Sequence, residues 1–196
     1  TFALHREEFY TYQDVPLTLT WEAMQEQKEA GLANHIGVSN FNQAKLNEIL
    51  ALGGQKPEVN QIELHPFLPQ DKLVEFCRQN EILLTAYSPL GSPDSRAEKH
   101  KNDPKLMENS LILELAEKHG VGVGSILIAW SIARGISVIP KSVSKERIIS
   151  NLEAAKIELT EEDMKRINDI GISHRYVDGS FFTGPQSPYK ISDLFE

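Results

Sequence analysis

Cysteine is almost absent. Cys77 stands alone in 196 residues, so no disulfide can close within the chain, and a reducing, cytoplasmic setting is the one expected. No apolar run approaches the roughly 18 residues a membrane-spanning helix needs. Basic residues are outnumbered, 20 Lys and Arg against 28 Asp and Glu, and the formal charge of −8 argues against a non-specific nucleic-acid partner. A small anion remains compatible with that charge, because salt screens charges beyond about 8 Å and a local basic pocket can outvote a distant surplus. The start, Thr1-Phe-Ala-Leu-His-Arg-Glu-Glu8, has no signal- or transit-peptide character and no initiator Met, so the chain is read as beginning in mid-protein. No G-x-S-x-G elbow occurs. The six histidines form no H-x-x-x-H pair and have no cysteine partner, so no metal site is expected. Gly120-Val-Gly-Val-Gly124 is spaced G-x-G-x-G, not G-x-G-x-x-G, and follows a helical pattern, which makes it a turn and not a dinucleotide loop.

What remains is ordinary globular composition, 40% apolar and 24% charged, at a length that suits one domain or part of a larger one. Apolar periodicity predicts helices over 17–31, 42–52, 70–80, 110–119, 125–134, 145–155 and 161–170. Short strands are predicted at 35–39, 59–64, 82–87 and 136–140. Ser144 and Thr160 stand at N-cap positions, with Asp163 placed to complete a capping box. Residues 91–109 form a long polar loop, and beyond Gly171 the chain turns irregular and aromatic-rich. Strand–helix alternation implies a parallel sheet, either an open doubly wound one or a (β/α)8 TIM barrel. The strand ends favour the barrel: each finishes in polar residues, at Ser39-Asn40, Gln61, Tyr87-Ser88 and Lys141-Ser142, and barrel sites gather from several strand ends. Four strands are half of eight. The expectation is therefore the C-terminal half of a barrel, the last four βα units plus a tail, with 1–196 as part of a single domain.

Three constellations carry chemistry, each beside a plainer alternative. Lys141-Ser-Val-Ser-Lys-Glu-Arg147 ends a strand and opens a helix, so backbone N–H groups, the positive helix end and cations converge as a phosphate site; the alternative is a capped surface helix with solvated charges. Tyr87-Ser-Pro-Leu-Gly91 offers an aromatic face for a flat ring, or else Tyr87 is a strand-end core residue. Ser39-Asn40 and Gln61 supply the paired donors and acceptors that a carboxamide needs, or else Ser39 or Asn40 caps the following helix.

These stretches together resemble the aldo-keto reductase family. The carriers are Gly31-Leu32, His35-Ile-Gly-Val-Ser-Asn-Phe41, Val59-Asn-Gln-Ile-Glu63 with His65-Pro66, Thr85-Ala-Tyr-Ser-Pro-Leu-Gly91, and Ile139-Pro-Lys-Ser142 with Arg147 and Asn151. The similarity runs from about Leu17 to Asp193 and corresponds to the C-terminal three-fifths of a family member. The resemblance implies NADPH-dependent reduction of aldehydes or ketones by the parent protein. It implies that Ser39, Asn40 and Gln61 hold the nicotinamide carboxamide and that Tyr87 stacks on the nicotinamide. Ser88, Leu90, Ser92 and Asp94 would line the pyrophosphate beneath the polar loop. Lys141, Ser142, Val143, Ser144 and Arg147 would hold the 2′-phosphate, and Asn151 would reach the adenine. The aromatic tail and the first fourteen residues would wall the pocket of a small carbonyl substrate. Two departures are visible: His35 replaces the family's usual Lys, Arg or Glu, and Ser150 replaces a frequent Glu. The family's catalytic Asp, Tyr, Lys and His precede Thr1; His5, Tyr10 and Tyr12 lack the matching context, so no catalytic residue is assigned and the segment alone is expected to be inactive. Two rival readings are an NADP(H)-binding relative without turnover and a phosphate-binding barrel isomerase or aldolase.

Overall fold

A computed structural model describes residues 9–92, 101–185 and 187–195. His5 and Asp94 lie outside the described residues. The chain is α/β, with four parallel strands in the order β1-β2-β3-β4 (Val38–Ser39, Val59–Glu63, Leu83–Tyr87, Ser137–Val138). Helices α1 to α7 (Leu17–Glu29, Gln43–Leu50, Asp71–Gln79, Ser110–His119, Val123–Ala133, Lys145–Glu153, Glu161–Asn168) fall where apolar periodicity places them. A short α8, Ile191–Phe195, ends the described chain. Two compact units are distinguished, one of residues 1–61, 72–83 and 177–196, the other of 62–71 and 84–176.

In the first unit, Trp21, Leu46, Ile49, Cys77 and Ile82 are buried. Trp21 Nε1 donates to the Gln55 carbonyl at 2.9 Å, so its ring is buried without an orphaned N–H. Gly37 permits the approach of β1 to β2: a Cβ there would stand 2.6 Å from the Val59 carbonyl oxygen. Strand β1 is two residues long, against five anticipated, and the residue after it, Asn40, bends away at φ +60°. The helix that follows is capped by Asn42, whose side chain accepts from the Lys45 N–H at 2.9 Å. Asn42→Ala should cost about 1 kcal/mol, the usual worth of an N-cap, read as a lower urea midpoint at an unchanged slope.

In the second unit α5 is central. Ser125 through Ser131 are all buried, and a helix apolar on every side belongs inside. It packs against α4, α6 and β4. Trp130 within it donates to Asn168 Oδ1 at 2.9 Å. The glycine stretch is the turn between α4 and α5: Gly120 closes α4 at φ +64° and Gly122 is the N-cap of α5. The helix thus starts at Val123, two residues earlier than periodicity suggests, and takes Gly124 inside, facing Leu90. Strand β4 stops at Val138, shorter than anticipated; Pro140, two residues on, has no N–H to extend the ladder.

Candidate functional site

The first unit brings three of the expected residues together. Ser39 Oγ donates to the Gln61 carbonyl at 2.9 Å, and the Asn40 N–H donates to the same oxygen at 2.9 Å. Neither Ser39 nor Asn40 caps α2, since Asn42 does. That removes the capping alternative for both residues and leaves a turn at the strand end with amide groups on β1 and β2. Ser39 and Asn40 border a cavity of about 170 Å³ whose wall includes the rings of Tyr12 and Phe41. Asn60, one residue before Gln61, is fully buried and bonds to Phe41 through both its amide groups, at 2.8 and 3.4 Å, which fixes the turn from below.

The second unit holds the remaining described residues. Tyr87 is half-buried at the end of β3. Burial, reinforced by the charge of Glu63, pushes its phenol up to about 12, so the ring is neutral at any physiological pH. Ser88 and Ser92 both take positive φ, 49° and 48°, and Ser92 Oγ donates to Ser88 Oγ at 2.9 Å. The chain therefore curls tightly through Leu90 and Gly91, whose φ is +74°. Leu90, Gly91 and Ser92 line a cavity of about 250 Å³ together with Lys105, Leu106 and Tyr176.

Lys141 through Asn151 form the loop after β4 and the first turns of α6. Lys141, Val143 and Arg147 are exposed, Val143 to 82%. Ser142 Oγ accepts the Ser144 N–H at 3.2 Å, and Ser144 Oγ accepts the Arg147 N–H at 3.4 Å as N-cap of α6. Ser144 Oγ also donates to Glu146 at 2.7 Å, which lowers that carboxyl. Ser150 Oγ donates back to the Arg147 carbonyl at 3.3 Å. The outcome is a serine-braced loop on a positive helix end, with the exposed Lys141 and Arg147 at its edge. Such a surface suits an anion. Asn151 lies one turn beyond Arg147 on the same helix.

Sequence reasoning passed over a buried polar cluster in the second unit. Glu63 and His65 are both 0% exposed. Glu63 Oε1 accepts from the Tyr176 N–H at 2.7 Å and meets His65 Nε2 at 2.9 Å; Arg175 stands 3.9 Å from Oε2. Burial lowers the His65 pKa against the opposing pull of Glu63, so the imidazole is neutral and donates through Nε2. The signal was a Glu between Ile62 and Leu64 at the end of β2, two residues before the His65-Pro66 pair, since acidic side chains are almost never fully buried unless paired. No group of three or more potential metal ligands occurs among the described residues. No described helix is long and apolar enough to cross a membrane.

The profile of the aldo/keto reductase family matches residues 1–172. The chain belongs to that family. It is 44% identical over 178 residues to an aldo/keto reductase of Synechocystis, covering 90% of this chain and 54% of that protein. It is 41% identical over 186 residues to aldo-keto reductase family 1 member C1 of Macaca fuscata fuscata, covering 94% and 57%. Over 181 residues it is 41% identical to estradiol 17 beta-dehydrogenase 5 of Mus musculus, covering 91% and 56%. The chain thus spans about half the length of the curated relatives it matches. Membership agrees with the parallel α/β architecture.

Proposed function

We propose that the protein of which these residues are part reduces aldehydes or ketones with NADPH, and that residues 1–196 supply most of its cofactor grip as the C-terminal half of a single (β/α)8 barrel domain. The observation that carries this is the chemistry of the strand ends in a chain of this family. An amide follows β1 at Asn40 and a second stands mid-strand on β2 at Gln61, in register with Ser39 and not at the strand end the sequence suggests; an aromatic face ends β3, and a basic, serine-braced helix start follows β4. A carboxamide, a flat ring and a phosphate are the three groups such ends suit, and NADP(H) contains all three. Isomerase or aldolase chemistry on a phosphorylated substrate accounts for the last only.

In this reading Ser39, Asn40 and Gln61 orient the carboxamide, Tyr87 supports the ring, and Ser88, Leu90, Ser92 and Asp94 follow the pyrophosphate. Lys141, Ser142, Val143, Ser144 and Arg147 receive the 2′-phosphate, and Asn151 meets the adenine. NADP(H), when bound, supplies the hydride; this chain's own residues fix which face of the ring is covered and where its far end is held, the protein's usual share of cofactor chemistry. The neutral Tyr87 phenol suits a stacking role, because a phenolate would add charge beside the buried Glu63. No residue of the described chain takes the place of the family's catalytic acid, so these residues bind and orient without delivering the proton.

Fluorescence titration of the intact protein with NADPH tests the reading. Tyr87→Ala should weaken NADPH by about 1 kcal/mol or more, the scale of an aromatic stacking contact, with a smaller loss of folding stability. Unchanged cofactor affinity with several kcal/mol of lost stability would make Tyr87 a core residue and withdraw the stacking role. Loss of NADPH binding altogether in the wild type would withdraw the function itself.

A further inference from the structure

Tyr176 occupies an unusual position in the second unit. It is 8% exposed, and both of its polar ends are committed. Its backbone N–H donates to the buried Glu63 carboxylate at 2.7 Å. Its hydroxyl donates to the Pro104 carbonyl at 2.5 Å and accepts the Leu106 N–H at 3.2 Å. Burial pushes this phenol up to about 12, so the donor proton stays in place. Between these two ends the ring lies close against Gly91. A Cβ at Gly91 would stand 2.8 Å from Tyr176 Cε2 and 2.9 Å from Leu106 Cβ, and Gly91 has φ +74°. Glycine is required there on both counts. The imidazoles of His65 and His174 also contact the ring, with centroids 5.1 and 4.7 Å away.

We propose that Tyr176 is a positioning residue for the cofactor, acting through the Leu90-Gly91-Ser92 curl that it wedges, with Glu63 as its anchor. The inference rests on the assignment of Leu90 and Ser92 to the pyrophosphate. The curl holds two strained residues close together, Ser88 and Ser92, each at positive φ. Such conformations persist only where the surroundings over-determine them. The hydrogen bond between the two serines and the Tyr176 ring under Gly91 are the over-determining contacts. Without the ring, the curl loses its floor, and Leu90 and Ser92 lose their fixed distance from one another. A residue 113 positions away from its Glu63 anchor thus sets the shape of a loop that it does not adjoin in sequence.

The consequence is confined to one part of the ligand. NADPH and NADH share the pyrophosphate, so both should weaken together. Adenosine 2′-monophosphate carries the adenine and the 2′-phosphate but no pyrophosphate, so it should be indifferent. The test uses the intact protein, its Tyr176→Ala and Tyr176→Phe variants, and isothermal titration with NADPH, NADH and adenosine 2′-monophosphate. Tyr176→Ala is expected to weaken both dinucleotides about tenfold, and Tyr176→Phe, which keeps the ring and gives up both hydroxyl hydrogen bonds, to weaken them less. The 2′-monophosphate should bind all three proteins equally. Equal loss of all three ligands would mark a merely structural residue and overturn the proposal. So would unchanged dinucleotide affinity in both variants. If Tyr176→Ala fails to fold, Tyr176→Leu, which also removes the ring but fills more of its space, decides: a selective loss of the dinucleotides sustains the inference and none sinks it. Wild-type protein that binds the 2′-monophosphate but gains nothing from the rest of NADPH would remove the pyrophosphate assignment, and the inference with it. Wild-type protein that binds none of the three would remove the proposed function itself.

Discussion

Arg147→Met is expected to weaken NADPH by about 10- to 150-fold while leaving NADH almost unchanged, because a charge-assisted hydrogen bond contributes roughly 1.5–3 kcal/mol net. The two cofactors differ only in the 2′-phosphate, a dianion near neutral pH. The chain's formal charge of −8 opposes its approach, so any preference for NADPH must be local. Arg147 is exposed on the first turn of α6 and presents a planar fork, while Lys141, exposed on the loop before it, presents a point charge. Lys141→Met should therefore cost less than Arg147→Met, and Arg147→Lys should recover only part of the loss. Added salt should narrow the NADPH-to-NADH gap in the wild type more than in either Met variant. Dissociation constants for both cofactors by fluorescence titration decide it. Equal losses of NADPH and NADH would show that neither side chain reads the phosphate.

The elements most legible in the sequence are those whose determinants are local. The α7 start is one: Thr160 and Asp163 form the full capping box that their spacing announces. Ser144 caps α6 as its position implies. Gly31, at φ +74°, follows directly on the Ala30 C-cap of α1. Long-range elements were hidden. Helix α8 has five residues, too few for periodicity to register, and its last carbonyls are satisfied by Lys45, whose Nζ donates to Asp193 and Leu194 at 2.7 and 2.9 Å across 148 and 149 positions. Its local mark is Asp193 in the first turn, whose Oδ2 accepts the Lys190 N–H at 2.7 Å. Strands β1 and β4 are shorter than the apolar runs that contain them, although single backbone bonds, Glu58 N–H to the Ile36 carbonyl and Ile139 N–H to the Ala86 carbonyl, continue just beyond each.

The candidate site divides in the same way. Ser39, Asn40 and Tyr87 are conspicuous in sequence as polar or aromatic residues closing short strands, whereas Gln61 proves to stand in the middle of β2. The alternative role as helix caps was equally legible for Ser39 and Asn40, and geometry alone separates the two, by giving the cap to Asn42. The Glu63–Tyr176 contact was not legible. A buried carboxylate is visible in sequence as an anomaly, but its partner is a backbone N–H, which every residue other than proline carries. Phe182 and Phe195 of the aromatic tail border the cavity beside Ser39 and Asn40, and the tail's first tyrosine, Tyr176, both lines a cavity and fastens two backbone stretches of the second unit.

Asp163→Ala should cost about 3 kcal/mol or more at neutral pH, the scale of breaking a buried, hydrogen-bonded charge group. The side chain is fully buried. Its oxygens accept from Lys118 Nζ at 2.6 Å, His119 Nε2 at 2.9 Å and the Thr160 N–H at 3.2 Å, while its own N–H donates to Thr160 Oγ1 at 3.1 Å. The change therefore removes half of a capping box and the tie between the end of α4 and the start of α7. Lys118 is 48% exposed and regains water when released, which limits the loss. Burial by itself would raise the Asp163 pKa, but the hydrogen bonds from Lys118, His119 and Thr160 outweigh it and hold the carboxyl well below the usual carboxylate range. With a folded-state pKa depressed below the unfolded one, the stabilisation is fully present above the unfolded value of about 3.9 and is lost as pH falls toward the folded value. Urea unfolding of the wild type and of Asp163→Ala at pH 7, 5 and 3.5 should show an undiminished difference at the first two and a smaller one at the third. Asp163→Asn separates charge from shape: it keeps an acceptor for the Thr160 N–H but loses the attraction to Lys118, so its stability should fall between the other two at pH 7. A difference that grows on acidification would mean that the carboxyl is held above its unfolded value, and that burial, not the Lys118 and His119 contacts, dominates at this joint.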